Sequence, residues 1–140
     1  MSVMSIQWCD EFKLGLPAMD SDHEELLELC NEFFAAAHAR SGLGELCAIL
    51  GRLILRTRAH FLAEERLLDR HNYPGLALHK AEHARLLTQA DGLKDRFDTA
   101  ESTEAVGDLT LETADFLRTW LLDHIRINDR PYRPFLMSLA

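Results

Sequence analysis

Proline and glycine are scarce in this chain, four and seven among 140 residues, and they cluster at only a few places. Long uninterrupted helices are therefore permitted. Strict apolar–polar alternation is missing throughout, which removes a β-sheet core from consideration. Cysteine is rare too: Cys9, Cys30 and Cys47 form neither an even disulfide framework nor a close metal-binding pair. They read as buried or idle thiols of a reducing compartment. No run of about 18 apolar residues occurs, so no helix is expected to insert in a membrane. The segment Met1–Ile6 lacks the basic and apolar regions of a signal peptide, and the expected location is the cytoplasm. Basic excess is absent as well. A net charge of −8 with neutral histidines argues against nucleic acid or an anionic membrane as partner. No internal repeat or low-complexity tract is visible.

What remains is helical periodicity. The length suits a single domain, residues 1–140, and four helices of roughly 20–25 residues would use nearly all of it. Residues 1–19, with Trp8, Phe12, Gly15 and Pro17, read as an extended N-terminal arm. Ser21-Asp22-His23-Glu24 matches a capping box, so the first helix is expected to begin there. Ser41–Gly44 ends it, and a second helix is expected from about Glu45 to Arg70, stopped by Asn72-Tyr73-Pro74-Gly75. The third carries Leu76 to Phe97, and the fourth carries Val106 to His124 and closes at Pro131. Generous loops are expected around Ser41–Glu45 and Asp98–Thr103. The expected class is all-α: an up-down-up-down four-helix bundle over residues 20–130, with a tail at 131–140.

The informative residues interrupt the apolar stripes. His23, His60, Glu64, His79, His83 and His124 all fall on faces that must point inward. The spacing of four in His60–Glu64 and His79–His83 stacks each pair on one side of its helix. A single core histidine is usually satisfied by backbone, and a lone His-x-x-x-His is only weakly specific. Here, however, inward histidines occur on all four helices, always toward the same end of an alternating bundle. Burying them without partners would cost several kcal/mol. Five imidazoles exceed what one four-coordinate zinc takes, and imidazole suits iron or copper, whereas calcium and magnesium prefer oxygen. A carboxylate among many histidines suggests a bridge between two ions. Asp129 could add a second carboxylate if the helix ends or bends after His124; Asp123 is nearer but points about 100° away from His124 on an ideal helix. His38 and His71 lie near helix ends and read as surface residues.

These residues resemble the hemerythrin family in its stand-alone bacterial form. The matching pieces are Trp8, Phe12 and Gly15, Met19–His23, His60–Glu65, Tyr73-Pro74, His79–His83, and Trp120–His124 followed by Asp129. They cover almost the whole chain in the right order. The bundle topology expected above is one for which this family is itself a type example. The resemblance implies two iron ions and no haem. His79, His83 and His124 would bind one iron, and His23 and His60 the other, leaving one position open. Glu64 and Asp129 would bridge the ions together with an oxo or hydroxo group. It further implies a dry, apolar dioxygen pocket lined by Leu27, Phe61, Trp120, Leu122 and Ile125, with Trp8 covering it.

The implied function is reversible dioxygen binding, for storage, delivery or scavenging, without catalytic residues. Two alternatives stay open: a diiron peroxidase or oxidase, and an oxygen or redox sensor acting through a protein partner. Carboxylate-rich Glu-x-x-His motifs characterise oxygen-activating diiron bundles, and this histidine-rich set differs from them. A structural or zinc-binding bundle is the bland alternative. Protein partner and oligomeric state are not legible.

Overall fold

Four long helices follow from four long stretches with no proline beyond the first helical position and no paired glycines. The computed structural model describes residues 5–124 and 131–137. The helices are α1 (Pro17–His38), α2 (Leu43–Arg70), α3 (Leu76–Thr99) and α4 (Thr103–Asp123), followed by a six-residue helix α5 (Tyr132–Met137). In sequence order each long helix packs on the next, and α4 closes back onto α1. The architecture is an all-α bundle with an N-terminal segment lying on it. Among the described residues, no helix is long and apolar enough to cross a membrane.

α1 begins at Pro17, not at the capping box Ser21–Glu24. Proline is tolerated at the first helical position because its missing N–H would have had no partner there. Asp20 then accepts the N–H groups of Leu14, at 2.7 Å, and of Gly15, at 3.1 Å. Gly15 turns the chain with φ of 80°, a conformation open to glycine without steric cost. The arm therefore ends at Leu16. It also contains a short 3-10 turn at Asp10–Phe12 instead of being extended throughout.

Helix ends follow specific local chemistry. Arg40 and Asn72 both take the left-handed conformation, with φ of 55°. Behind them Ser41 N–H donates to Ala36 O and Tyr73 N–H to Leu68 O, the six-to-one bonds of Schellman caps. α4 starts where the Ser102 hydroxyl accepts Ala105 N–H at 3.0 Å. Both loops expected to be generous are short, residues 39–42 and 100–102, because α2 and α4 begin as soon as these caps allow.

The main core is built from inward residues of the four long helices, including Leu26, Phe33, Leu50, Leu53, Phe97, Leu117 and Leu121. A second cluster of Leu14, Met19, Leu68, Tyr132 and Leu136 closes one end of the bundle. Residues expected to form a tail thus supply a helix whose Tyr132 is fully buried. The arm runs antiparallel to α1, pinned at Ile6 by two hydrogen bonds to the Asn31 side chain, 2.8 and 2.7 Å. The expected closure of α4 at Pro131 involves residues 125–130, which lie outside the described residues, as do Ile125 and Asp129.

Candidate metal centre

Four helices deliver the site to one end of the bundle. His23 comes from the second turn of α1, His60 and Glu64 from the last turns of α2, His79 and His83 from the start of α3, and His124 from the end of α4. All six side chains are buried, and Glu64, His23, His60 and His124 are wholly so. His38 and His71 are exposed, as read from their positions.

Glu64 organises the cluster. Its Oε1 contacts His79 Nε2 and lies 3.1 Å from His83 Nε2 and 4.0 Å from His124 Nε2. Its Oε2 lies 3.2 Å from His60 Nε2 and 3.8 Å from His23 Nε2. The two oxygens of one carboxylate therefore face two different sets of imidazoles. Two groups of ligand atoms result, His23, His60, Glu64 and His124 on one side, Glu64, His79 and His83 on the other, each within 4.8 Å. Glu64 belongs to both. His124 lies between the halves, its ring centroid 5.2 Å from that of His83 and 5.9 Å from that of His23.

Burial by itself would raise the pKa of the Glu64 carboxyl, but the imidazoles of His23, His60, His79 and His83 outweigh it and hold the group well below its usual range. It is a carboxylate. For His60 burial acts downward, and Asp22 together with Glu64 more than reverses it, so the imidazole is more basic than usual.

A surrounding layer was not read from the sequence. Asp22 Oδ2 sits 2.9 Å from His60 Nδ1, and Glu65 Oε2 sits 2.8 Å from His83 Nδ1. Each carboxylate can accept a hydrogen bond from Nδ1–H, which turns Nε2 toward Glu64 and would leave its lone pair free for a cation placed between them. Asp22 is itself held by Arg56 of α2 at 2.7 Å, which also bonds Glu25. The Tyr132 hydroxyl donates to Glu64 Oε2 at 3.2 Å. The available signal for Asp22 and Glu65 was adjacency to an inward residue; Tyr132 gave none.

The ring nitrogens His60 Nε2 and His83 Nε2 are buried and make no hydrogen bond among the described residues. Buried polar atoms left in this way are costly. Cations placed between the Nε2 atoms and the shared carboxylate would satisfy them. Imidazole with carboxylate suits iron, and the number of donors exceeds one tetrahedral zinc site. The donor set fits a buried diiron-type centre.

Residues 14–136 match the family profile described as the Hemerythrin HHE cation binding domain. The chain belongs to the hemerythrin family. It is 30% identical over 131 residues to the bacteriohemerythrin of Methylococcus capsulatus (strain Bath), covering 91% of this chain and 93% of that one. A hemerythrin-like protein of Naegleria gruberi is 30% identical over 129 residues, with 92% of each chain covered. The bacteriohemerythrin of Stenotrophomonas maltophilia is 28% identical over 127 residues, 89% of this chain and 77% of that one. Among solved structures, a crystal structure of a leucine-to-alanine hemerythrin mutant superposes with a TM-score of 0.80 at 29% identity, covering 94% of this chain and 97% of that chain.

The residues expected to line a dioxygen pocket have varied surroundings. Leu27, Phe61 and Trp120 are buried in the core, whereas Trp8 and Leu122 are half-buried against it. Trp8 packs on Phe12, ring centroids 5.7 Å apart, between the arm's anchors on α1. Phe61 touches the centre directly through the rings of His83 and His124.

Proposed function

We propose that this chain is a cytoplasmic hemerythrin that binds dioxygen reversibly at a non-haem diiron centre. The observation that carries this reading is Glu64, a buried carboxylate presenting one oxygen to each of two imidazole sets. By the family resemblance, His79, His83 and His124 would hold one iron and His23 and His60 the other, with Glu64 and Asp129 as the carboxylates shared by both. When bound, an iron pair would supply the reversible redox chemistry that dioxygen binding requires.

The protein's own contribution is to keep that exchange reversible. Asp22 and Glu65 fix the tautomers of His60 and His83, so that the ligand nitrogens need no reorganisation. Leu27, Phe61 and Trp120, with Leu122 and Trp8 packed against the core, would keep bulk water from the centre. Excluding water limits proton delivery to the centre, a condition under which dioxygen binding would stay reversible. The histidine-rich set favours a carrier over an oxygen-activating enzyme.

The test is metal analysis followed by an oxygen titration of the reduced protein. About two irons per chain are expected, with an optical change on oxygenation that reverses when oxygen is removed. One zinc and no iron would overturn the reading. Consumption of oxygen with added reductant, without release, would favour the enzyme instead.

A further inference from the structure

Both oxygens of the Asp22 carboxylate are engaged. Oδ2 lies 2.9 Å from His60 Nδ1, and Oδ1 accepts from the Arg56 guanidinium at 2.7 Å. The same Nη2 atom of Arg56 also lies 2.7 Å from Glu25 Oε2. Arg56 stands four residues before His60 on α2, one turn away, and Asp22 and Glu25 are three apart on α1. One arginine of α2 therefore clamps two neighbouring carboxylates of α1. The clamp keeps the inner carboxylate, that of Asp22, from rotating away from the imidazole behind which it sits.

The other half of the centre is built differently. Glu65 approaches His83 Nδ1 through Oε2 at 2.8 Å, and among the described residues no cation holds it from behind. His83 has a second support instead, the Phe61 ring stacked on it at 3.7 Å. His60 has no stacked partner among the described residues. Its closest ring is that of His23, met edge-on with centroids 4.8 Å apart. Packing can therefore orient His83, whereas the orientation of His60 falls to Asp22 and to whatever holds Asp22. A partly exposed ion pair adds little stability by itself. Its consequence here is directional, because an outer partner of a ligating histidine sets the plane of the ring.

We propose that Arg56 is a positioning residue of the metal centre, acting through Asp22 to orient His60 toward the ion on its side. The His83 side needs no such clamp. The proposal rests on the metal-centre reading for the ion, and on the Arg56–Asp22–His60 contacts for the device. Charge alone would act in the opposite direction. A guanidinium near a cation site repels the ion, so its removal would tighten metal binding if electrostatics decided the outcome. Positioning requires that removal weaken binding despite the lost repulsion. The sign of the change separates the two.

The test compares Arg56→Met with Arg52→Met, a control that removes the 3.0 Å Arg52–Glu32 pair between the same two helices. In the metal-free protein, NMR should show the His60 Nδ1 proton exchanging with solvent several-fold faster in Arg56→Met. It should exchange as in the parent in Arg52→Met. Equal exchange in all three proteins, or equal acceleration in both variants, would overturn the proposal. The second arm is anaerobic competition for ferrous iron with a chelator. Arg56→Met should hold one iron about 10-fold more weakly, the low end for loss of an outer partner, and the other as in the parent. Tighter binding would assign the effect of Arg56 to charge, and equal weakening of both irons would assign it to the fold; either overturns the proposal. Should Arg56→Met fail to fold, Arg56→Gln is read by the same two measurements with the same outcomes. A parent protein that binds no iron would overturn the metal-centre reading alone, since proton exchange without metal still decides whether Arg56 positions His60.

Discussion

Phe61 lies flat against the imidazole of His83, with ring centroids 3.7 Å apart and planes inclined by 1°. The same phenyl ring approaches His124 at 4.9 Å and Trp120 at 6.4 Å. One residue of α2 therefore sets the orientation of imidazoles from α3 and α4. Phe61 is essentially buried, so Phe61→Ala combines lost transfer energy with a cavity beside the centre. A destabilisation of about 3–5 kcal/mol is expected for such a truncation. Guanidinium unfolding of the iron-loaded protein measures it, and a loss below about 1 kcal/mol would show that the stack carries little of the packing.

The carboxylates behind the histidines should matter nearly as much as the histidines. Asp22→Asn and Glu65→Gln keep the size of each side chain but remove its charge from His60 Nδ1 and His83 Nδ1. Loss of such an outer partner typically costs about 10–100-fold in metal affinity. Competition with a ferrous chelator under anaerobic conditions would read the change. Affinities equal to the parent would mean that the imidazoles are oriented by packing alone.

These carboxylates also mark the boundary of what the sequence makes legible. The five histidines and Glu64 stand out because a 3.6-residue period places them on stripes that are otherwise apolar, and an alternating bundle brings those stripes to one end. Asp22 and Glu65 are off the stripes, at half-buried flanks, and their partners lie on other helices. Periodicity describes one helix at a time and carries no such cross-helix pairing. The start of α1 was missed for a related reason: Asp20 acts on Leu14 and Gly15 only once the arm has folded back. α5 is six residues long, too short to show a period, and Tyr132 is buried by tertiary contacts alone.

Tyr132 ties this late segment to the centre. Its hydroxyl bonds a fully buried carboxylate, and next to it Arg133 Nε donates to Leu14 O at 2.5 Å, joining α5 to the arm. Tyr132→Phe removes only the oxygen. Hydrogen bonds to charged groups contribute about 1.5–3 kcal/mol, so a loss of that size is expected in the metal-free protein. Thermal unfolding of the two proteins without metal provides the comparison. Equal stability would show that Glu64 is satisfied by the imidazoles without the phenol.

A histidine binds metal through a neutral ring nitrogen, so protons and iron compete for the site. In the metal-free protein His60 is more basic than an ordinary histidine, because Asp22 and Glu64 outweigh the opposing effect of burial. A raised pKa means that His60 is protonated at pH values where a free imidazole is already neutral. Ferrous iron affinity should therefore weaken as pH falls, beginning above the ordinary histidine value of about 6.5. In Asp22→Asn the neighbouring negative charge is gone, His60 becomes less basic, and the fall should move to lower pH even though affinity at high pH is reduced. Chelator competition between about pH 8 and pH 6 measures both curves, spanning the range over which histidines titrate. A curve that is flat over that range, or one that Asp22→Asn does not displace, would separate iron binding from protonation of His60.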